Sequence, residues 1–350
     1  MSQVKTTAKS GLADGSVLAI VVNYNGGEAV LRCLESLRNQ DYPMVRVVVV
    51  DNASTDDSAD RIAETHPEAI LNRTGINGGW ATGCNVGMTA ANSEFIATIN
   101  NDAWLDPACI SEMVRSLRLK REYGSCASKI LTANGERLEV CGLNIVADGS
   151  SCGRGRLQDI SRYSEPEEVF CANDCVCLYK RDLFADIGGY DEDFFLYCGE
   201  TDVGYRQQMA GWKSIYNPKA LAYHEHSLTV GSYSAFKAYH VERNRIFILI
   251  KHFPIWWIPL ATGLSIWRYL LWIRIARKNS QGALARYLEG NSLSQGLAVL
   301  IRAHLAALIM SPRMIRRRFQ LKAIRRLDRR AFWGLFRDYG ISVRAMAEYE

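Results

Sequence analysis

Past an opening polar tail (residues 1–15), the chain places apolar residues in short uninterrupted runs, each closed by a polar cluster. Residues 17–22 are apolar throughout and stop at Asn23-Tyr24-Asn25-Gly26-Gly27, the pattern of a buried strand entering a turn. Ala29, Val30, Leu31, Leu34 and Leu37 then recur with helical spacing, and a second strand over 45–50 ends at Asp51. The polar stretch 52–58 leads into a short helix holding Ile62 and Ala63. A short strand near 69–71, a glycine-rich segment over 75–87 and a strand over 95–99 follow, the last stopping at Asn100-Asn101-Asp102. Strands alternating with helices predict a largely parallel sheet covered on both faces. Ligands of such sheets bind beyond the carboxyl ends of the strands, where Asn23, Asp51 and Asp102 all fall.

The pattern is less regular from 125 to 190. Residues 149–163 are glycine-rich and polar and read as an exposed loop; 169–179 read as a strand, followed by a helix from Arg181 and a stop at Gly188-Gly189. A helix over 200–209 and a strand over 220–224 come next, and from Tyr233 the pattern is helical, with no internal repeat. Residues 253–273 carry Trp256, Trp257, Trp267 and Trp272 and no charge before Arg268, a length able to span a bilayer. Pro254, Pro259, Gly263 and the tryptophans favour a helix lying in the interface over a span. A further apolar helix over 297–310 is expected to break at Pro312. Residues 313–330 then hold nine basic residues against one acid, with Arg318, Lys322, Arg325, Arg326 and Arg329 on one helical face. Such a face suits an anionic membrane surface, at about 1 kcal/mol per well-placed charge. A nucleic-acid tail is the competing partner, but no recognised nucleic-acid module accompanies it.

Composition sharpens the division. At 350 residues, 48% hydrophobic and 23% charged, the chain is globular, which excludes disorder, collagen and small disulfide scaffolds. The net charge of +5 conceals two unlike parts: residues 1–267 carry 25 Lys+Arg against 32 Asp+Glu, and residues 268–350 carry 17 against 5. Ten cysteines without a CxxC pair, and a polar N-terminus without a signal peptide, fit a reducing cytosolic setting. Cys171, Cys175 and Cys177 lack zinc spacing and read as small core residues.

Three constellations carry candidate chemistry. The segment from Gly75 to Gly87, with Asn77-Gly78-Gly79-Trp80 and Asn85, is neither a P-loop nor a dinucleotide fingerprint; by itself it is a turn and a close-packed helix or a nucleotide wall. Asp102, at a strand end, either shapes the turn or presents one hard oxygen to a divalent cation, which for magnesium suffices when phosphate and water complete the shell. Glu200 and Asp202 open a helix whose dipole favours negative charge. One is a general-base candidate, while Asp202 also has an intrahelical partner in Arg206. His224 and His226 flank Glu225 after a short strand, and only one is expected to reach a site.

Taken in order, these pieces resemble the inverting family 2 glycosyltransferases, in particular their bacterial rhamnosyltransferase-like branch. The resemblance rests on Val22-Asn23-Tyr24-Asn25, Val50-Asp51-Asn52-Ala53-Ser54-Thr55-Asp56, Asn77-Gly78-Gly79-Trp80-Ala81-x-Gly83-x-Asn85 and Asn100-Asn101-Asp102. It continues through Gly188-Gly189-Tyr190-Asp191-Glu192-x-Phe194-Phe195, Glu200-Thr201-Asp202 with Arg206, His224-x-x-Ser227 and Arg243-Asn244.

What the resemblance implies is a GT-A nucleotide-sugar-binding fold, a Rossmann-like mixed sheet with flanking helices, over residues 16–251, and a basic helical membrane-associating region over 252–350. It implies that Asp51 contacts the donor's base, that Asn23, Tyr24 and Asn25 line the nucleotide pocket, and that Asn77, Gly79 and Asn85 shape the wall beside ribose and diphosphate. Asn101 joins them as a donor-side residue. Asp102 and His224 would hold Mg2+ or Mn2+, with Asn100 at the first position of the family's DXD motif; His226 matches no functional position. Glu200 falls where the family has its catalytic Asp, Gly199 and Glu200 replacing the usual Glu-Asp pair. Asp202 and Arg206 would support the helix start or the acceptor pocket. The implied activity is metal-dependent, inverting sugar transfer, with rhamnose from dTDP-rhamnose as the branch's donor and dTDP- or UDP-sugars as the donor class. The acceptor would be lipid-linked or a polysaccharide, in cell-envelope glycan synthesis at the cytoplasmic face of the bacterial inner membrane, bound peripherally or monotopically. The missing Asp of the pair motivates a second reading, a catalytically weak nucleotide-sugar-binding scaffold subunit of a membrane glycan assembly.

Overall fold

The computed structural model describes residues 14–156, 158–225, 234–279 and 282–349. Most of the polar N-terminal tail, and His226 and Ser227, lie outside the described residues. The first half of the sheet is parallel: β1 (Val17–Asn23), β2 (Val45–Asp51), β3 (Ile70–Arg73) and β4 (Phe95–Asn100). Helices α1 (Gly27–Arg38), α2 (Ser58–Thr65) and α3 (Gly79–Met88) make the crossovers. Every residue of β1 is buried, because helices cover both faces; that is why its apolar run is continuous rather than alternating. In-register pairing sets Asn23 beside Asp51 and Val22 beside Asn100, so the polar strand ends share one edge.

The second half is mixed. After β5 (Ala103–Leu105) and α4 (Cys109–Leu119) come β6 (Tyr123–Thr132), β7 (Leu138–Val140) and a hairpin of β8 (Leu143–Ile145) with β9 (Ser151–Gly153). Next are β10 (Glu167–Val169), β11 (Val176–Lys180), α5 (Arg181–Ile187), α6 (Gly199–Met209) and β12 (Lys213–His224). The order along the sheet is β10-β12-β6-β11-β4-β1-β2-β3, with β5 on β12 and β7 on β6. β11 is antiparallel to both neighbours, so the sheet is mixed rather than largely parallel. The chain reaches β11 through the irregular 133–175 excursion instead of a helical crossover, which a parallel placement would require.

Two local expectations are corrected. The strand over 169–179 is two strands with different partners. Between them the Phe170 carbonyl accepts from the side-chain amides of Gln207 and Gln208 on α6, not from a ladder. Only the end of the 149–163 stretch is the exposed loop expected: Gly149, Ser150 and Gly155 are buried, β9 falls within it and Ser151 bonds Thr201, whereas Asp159, Ser161 and Arg162 are exposed.

The C-terminal helices are α7 (Ala235–His252), α8 (Ile258–Asn279), α9 (Ala283–Gly290), α10 (Leu293–Gln320), α11 (Arg329–Tyr339) and α12 (Val343–Tyr349). α10 runs straight past Pro312, where a break was expected. Proline withholds the amide that would bond the Leu308 carbonyl, and the Ser311 hydroxyl donates to that carbonyl instead, at 2.8 Å. Nor do residues 313–330 form one helix with a free basic face. α10 ends at Gln320, Arg318 donates to the Ile250 and Phe253 carbonyls, and the Arg326 amide bonds the Met209 carbonyl. One core cluster joins Phe194, Tyr205 and Phe247 to Phe253, Met314 and Phe332, so the helices beyond residue 252 are packed into the body.

Candidate functional site

The polar strand ends form the first side of the site. Asn23 is fully buried; its amide donates to Asp51 Oδ1, Ser54 Oγ and Ser58 Oγ, and its carbonyl accepts from Asn101. It therefore braces the pocket floor and does not line an open surface. Asp51 also accepts from the Ser54 hydroxyl at 2.6 Å. Asn25 is exposed and takes φ 52°, and its side-chain oxygen caps the amide of Thr55 at 2.7 Å, closing the 52–56 loop over the strand ends. Tyr24 beside it is half-buried.

Asp102 and His224 meet at these ends, with Asp102 Oδ1 to His224 Nε2 2.9 Å. Neighbouring ligands of an octahedral cation with bonds of about 2.1 Å lie about 3 Å apart, so a carboxylate oxygen and an imidazole nitrogen at this spacing fit a shared divalent ion. Asn100 Nδ2 lies 3.5 Å from the same nitrogen. Among the described residues no group of three or more His, Cys, Asp and Glu side chains could hold a metal ion by itself. Two protein ligands fit a magnesium-like ion that takes its remaining ligands from phosphate and water.

The second side is the start of α6. The segment before it holds Phe195, Tyr197 and Cys198 at φ 62°, 65° and 59°, a left-handed conformation that L-residues adopt only under constraint. The constraint comes from α7. Asn244 Nδ2 donates to the carbonyls of Phe194, Leu196 and Tyr197 at 2.8–2.9 Å, and Arg243 to those of Asp193 and Phe194. Gly79, at φ 77°, lies against the same segment, and a Cβ there would run into the Phe195 carbonyl oxygen. Asn77 accepts from the Gly79 amide. Asn85 is turned away from the pocket: it pairs with both the amide and the carbonyl of Tyr190, pinning the 188–192 turn.

Glu200 and Asp202, two residues apart, differ sharply. Asp202 is fully buried, with Arg206 Nε at 2.8 Å, Lys251 Nζ at 2.6 Å and His252 Nε2 at 2.7 Å. Burial alone would raise its carboxyl; Lys251, Arg206 and His252 outweigh that and hold it well below the carboxylate range. Arg206 also donates to the Ile187 and Gly188 carbonyls. Both residues are buried beneath the helix start. Glu200 is half-buried, and burial first, then the nearby charge of Asp174, push its carboxyl upward. Asp174 accepts from Tyr190 OH, Tyr179 OH and Trp80 Nε1. Burial raises its carboxyl, and these donors offset part of the rise. Asp174 escaped sequence reasoning, although it is the one carboxylate between Val169 and Tyr179. Lys251 and His252 were missed as well, since two basic residues in the last turn of a helix read as ordinary helix-end charge.

Residues 18–188 match the family model described as Glycosyl transferase family 2. Over 299 residues the chain is 25% identical to an N-acetylglucosaminyl-diphospho-decaprenol L-rhamnosyltransferase of Mycobacterium tuberculosis, covering 77% of this chain and 97% of that one. A putative glycosyltransferase, EpsH, of Bacillus subtilis is 36% identical over 105 residues, 29% of this chain and 30% of the relative. Among solved structures, GalNAc-T7 with UDP, GalNAc and Mn2+ aligns with a TM-score of 0.54 at 14% identity, covering 67% of this chain and 48% of that one; this likeness concerns the fold.

Proposed function

Because the chain belongs to glycosyl transferase family 2 and is a glycosyltransferase, we propose that it transfers a sugar with inversion from a dTDP- or UDP-sugar, rhamnose first among candidates. The acceptor we propose is a lipid-linked saccharide, the class named for the mycobacterial relative, in cell-envelope glycan synthesis. The observation that carries the reading is the pairing of Asp102 with His224 at the strand ends, 2.9 Å apart, in a chain whose α6 begins with Glu200, a half-buried carboxyl raised by burial and by Asp174. Inversion by single displacement needs one base and no covalent nucleophile. Glu200 accepts the proton of the acceptor hydroxyl as that oxygen attacks the anomeric carbon. Asp51 and the 52–56 loop bind the nucleoside, and the α3 segment from Asn77 and Gly79 borders the diphosphate. Asp102 and His224 hold Mg2+ or Mn2+; when bound, the ion supplies positive charge against the leaving diphosphate. GalNAc-T7, which shares the fold, was solved with Mn2+ and UDP.

The catalytic unit we assign to residues 16–251, and membrane association to the helices after 252, docked on the cytoplasmic face. On α8, Trp256 just before it, Ile266 and Trp267 are exposed; on α10, Leu297, Ile301, Leu305, Leu308 and Ile309 are exposed while Ala303 and Ala307 pack inward. The helix Leu293–Ala323 is long and apolar enough to cross a bilayer, with 17% of its most apolar window buried. Exposed Arg302 and His304 at its middle favour an interfacial position. Arg274, Arg277, Arg316 and Lys322 add exposed positive charge near these surfaces.

A panel of nucleotide sugars, with a prenyl-diphosphate saccharide as acceptor and Mg2+ or Mn2+, tests the reading. Transfer with inverted anomeric configuration by NMR is expected. Nucleotide binding with no donor turned over would favour the scaffold alternative. Sedimentation with anionic liposomes tests the membrane face: Leu305→Glu with Ile309→Glu should release the protein, and unchanged binding would contradict the interfacial role.

A further inference from the structure

The strand β7 reads Leu138-Glu139-Val140; a bulge in its pairing with β6, between Ile130 and Leu131, puts Leu138 in the core cluster on one face of the sheet and Val140 in that on the other, with Glu139 between them. β7 pairs with one edge of β6, and β12 with the other, so Glu139 stands two strands from His224 and 85 residues before it. Its carboxylate reaches across β6 to the imidazole, with Oε1 2.8 Å from Nδ1, while Nε2 faces Asp102 at 2.9 Å. Both partners of this contact are nearly enclosed, at 12% and 8% side-chain exposure. The ring is thus gripped at both nitrogens by carboxylates from different strands.

We infer that Glu139 is a positioning residue that orients His224 for cation binding, an inference that rests on the reading of Asp102 and His224 as the cation's ligands. A neutral imidazole carries one N–H and one lone pair, and its second hydrogen-bond partner decides which nitrogen has which. With Glu139 accepting from Nδ1–H, the lone pair lies on Nε2 and points to the Asp102 side. The adjacent negative charge also makes the ring a stronger donor, and loss of such a partner costs about 10–100-fold in metal affinity in other proteins. No such role is assigned to position 139 by any motif in the sequence, because a Glu between two core residues of a short strand is ordinary surface alternation.

The test is Mn2+ binding by electron paramagnetic resonance, with the full chain, alone and with UDP. Wild type is compared with Glu139→Gln, Asp102→Asn and His224→Ala. The expected result is an affinity about 10–100-fold weaker in Glu139→Gln, with UDP affinity in the absence of metal unchanged. If Asp102→Asn and His224→Ala weaken Mn2+ binding and Glu139→Gln does not, the positioning role is overturned and the metal reading stands. If all three bind as wild type, the metal reading itself fails. A second measurement needs no variant: 15N NMR of histidine-labelled wild type with Mg2+ should find His224 protonated at Nδ1 and bare at Nε2. The reverse tautomer overturns the inference.

Discussion

The two sides of the site are held in different ways. On the strand side, Asn23, Asp51, Asn101 and Asp102 sit where neighbouring parallel strands end in register, and most of their contacts run to adjacent turns. On the α6 side, Glu200 rides on a segment held from α7 by Arg243 and Asn244. Beneath it, Asp191 and Asp202 are neutralised by Lys251, with Arg317 of α10 a further 3.4 Å contact to Asp191 and Arg313 bonding Asp193. The strand side is therefore a property of the sheet, and the α6 side a property of helices that arrive 40 to 120 residues later. Part of the charge of the basic C-terminal region therefore serves the acidic body.

The comparison breaks most visibly at Asp202. Asp202→Asn removes the buried counter-charge of Arg206 and one of the two beside Lys251, which keeps Asp191, and should cost about 3–5 kcal/mol in denaturant unfolding. Its folded pKa is depressed, so its contribution is complete above the unfolded carboxylate range and is lost as pH falls through the folded value. The variant should therefore show a flatter acid limb of stability. The strand-side counterpart Asp51→Asn should cost about 1 kcal/mol, the worth of ordinary hydrogen bonds. Equal losses would erase the distinction.

Asn244→Ala comes next. It strips the donor from three carbonyls at a strained turn, and a buried polar group left unsatisfied costs about 1–3 kcal/mol. A fall of about tenfold or more in kcat is expected, with a smaller change in UDP affinity, transmitted only through Gly79, which lies against the same segment. A parallel loss of UDP binding would show that the two sides are one unit. Asp174→Asn is subtler. The Glu200 carboxyl is raised, so the unprotonated base accumulates as pH increases, and kcat/KM should climb through a range above that of an ordinary carboxylate. Removing the Asp174 charge lowers the Glu200 pKa and should move that limb to lower pH; an unmoved limb would separate the two groups. The smallest effect is expected of Arg313→Gln with Arg317→Gln, a change in kcat of a few fold at most, because these ion pairs are partly exposed. A large loss there would tie α10 directly to catalysis.

The same division decides what could be read from the sequence. Strand ends announce themselves, because an apolar run must stop where the chain leaves the sheet, and Asn23, Asp51 and Asp102 were legible on that ground. Asp202 with Arg206 was legible from i,i+4 spacing. Partners fixed by distant packing were not: Glu139 reaches His224 across a strand, and Lys251 reaches Asp202 from the far end of a helix. Asn85 misled for the same reason, its glycine-rich context suggesting a phosphate wall while its amide is taken by Tyr190. Pro312 misled because a serine one residue earlier takes over the carbonyl that proline leaves unbonded.

The most direct measurement is sugar transfer by Glu200→Gln beside wild type, with UDP or dTDP affinity measured on the same preparations. A loss of about 10²–10⁴ in kcat is expected, the usual contribution of a general base, with nucleotide affinity unchanged. A Glu200→Gln protein that transfers sugar at the wild-type rate would contradict Glu200 as the base and leave α6 without its catalytic role.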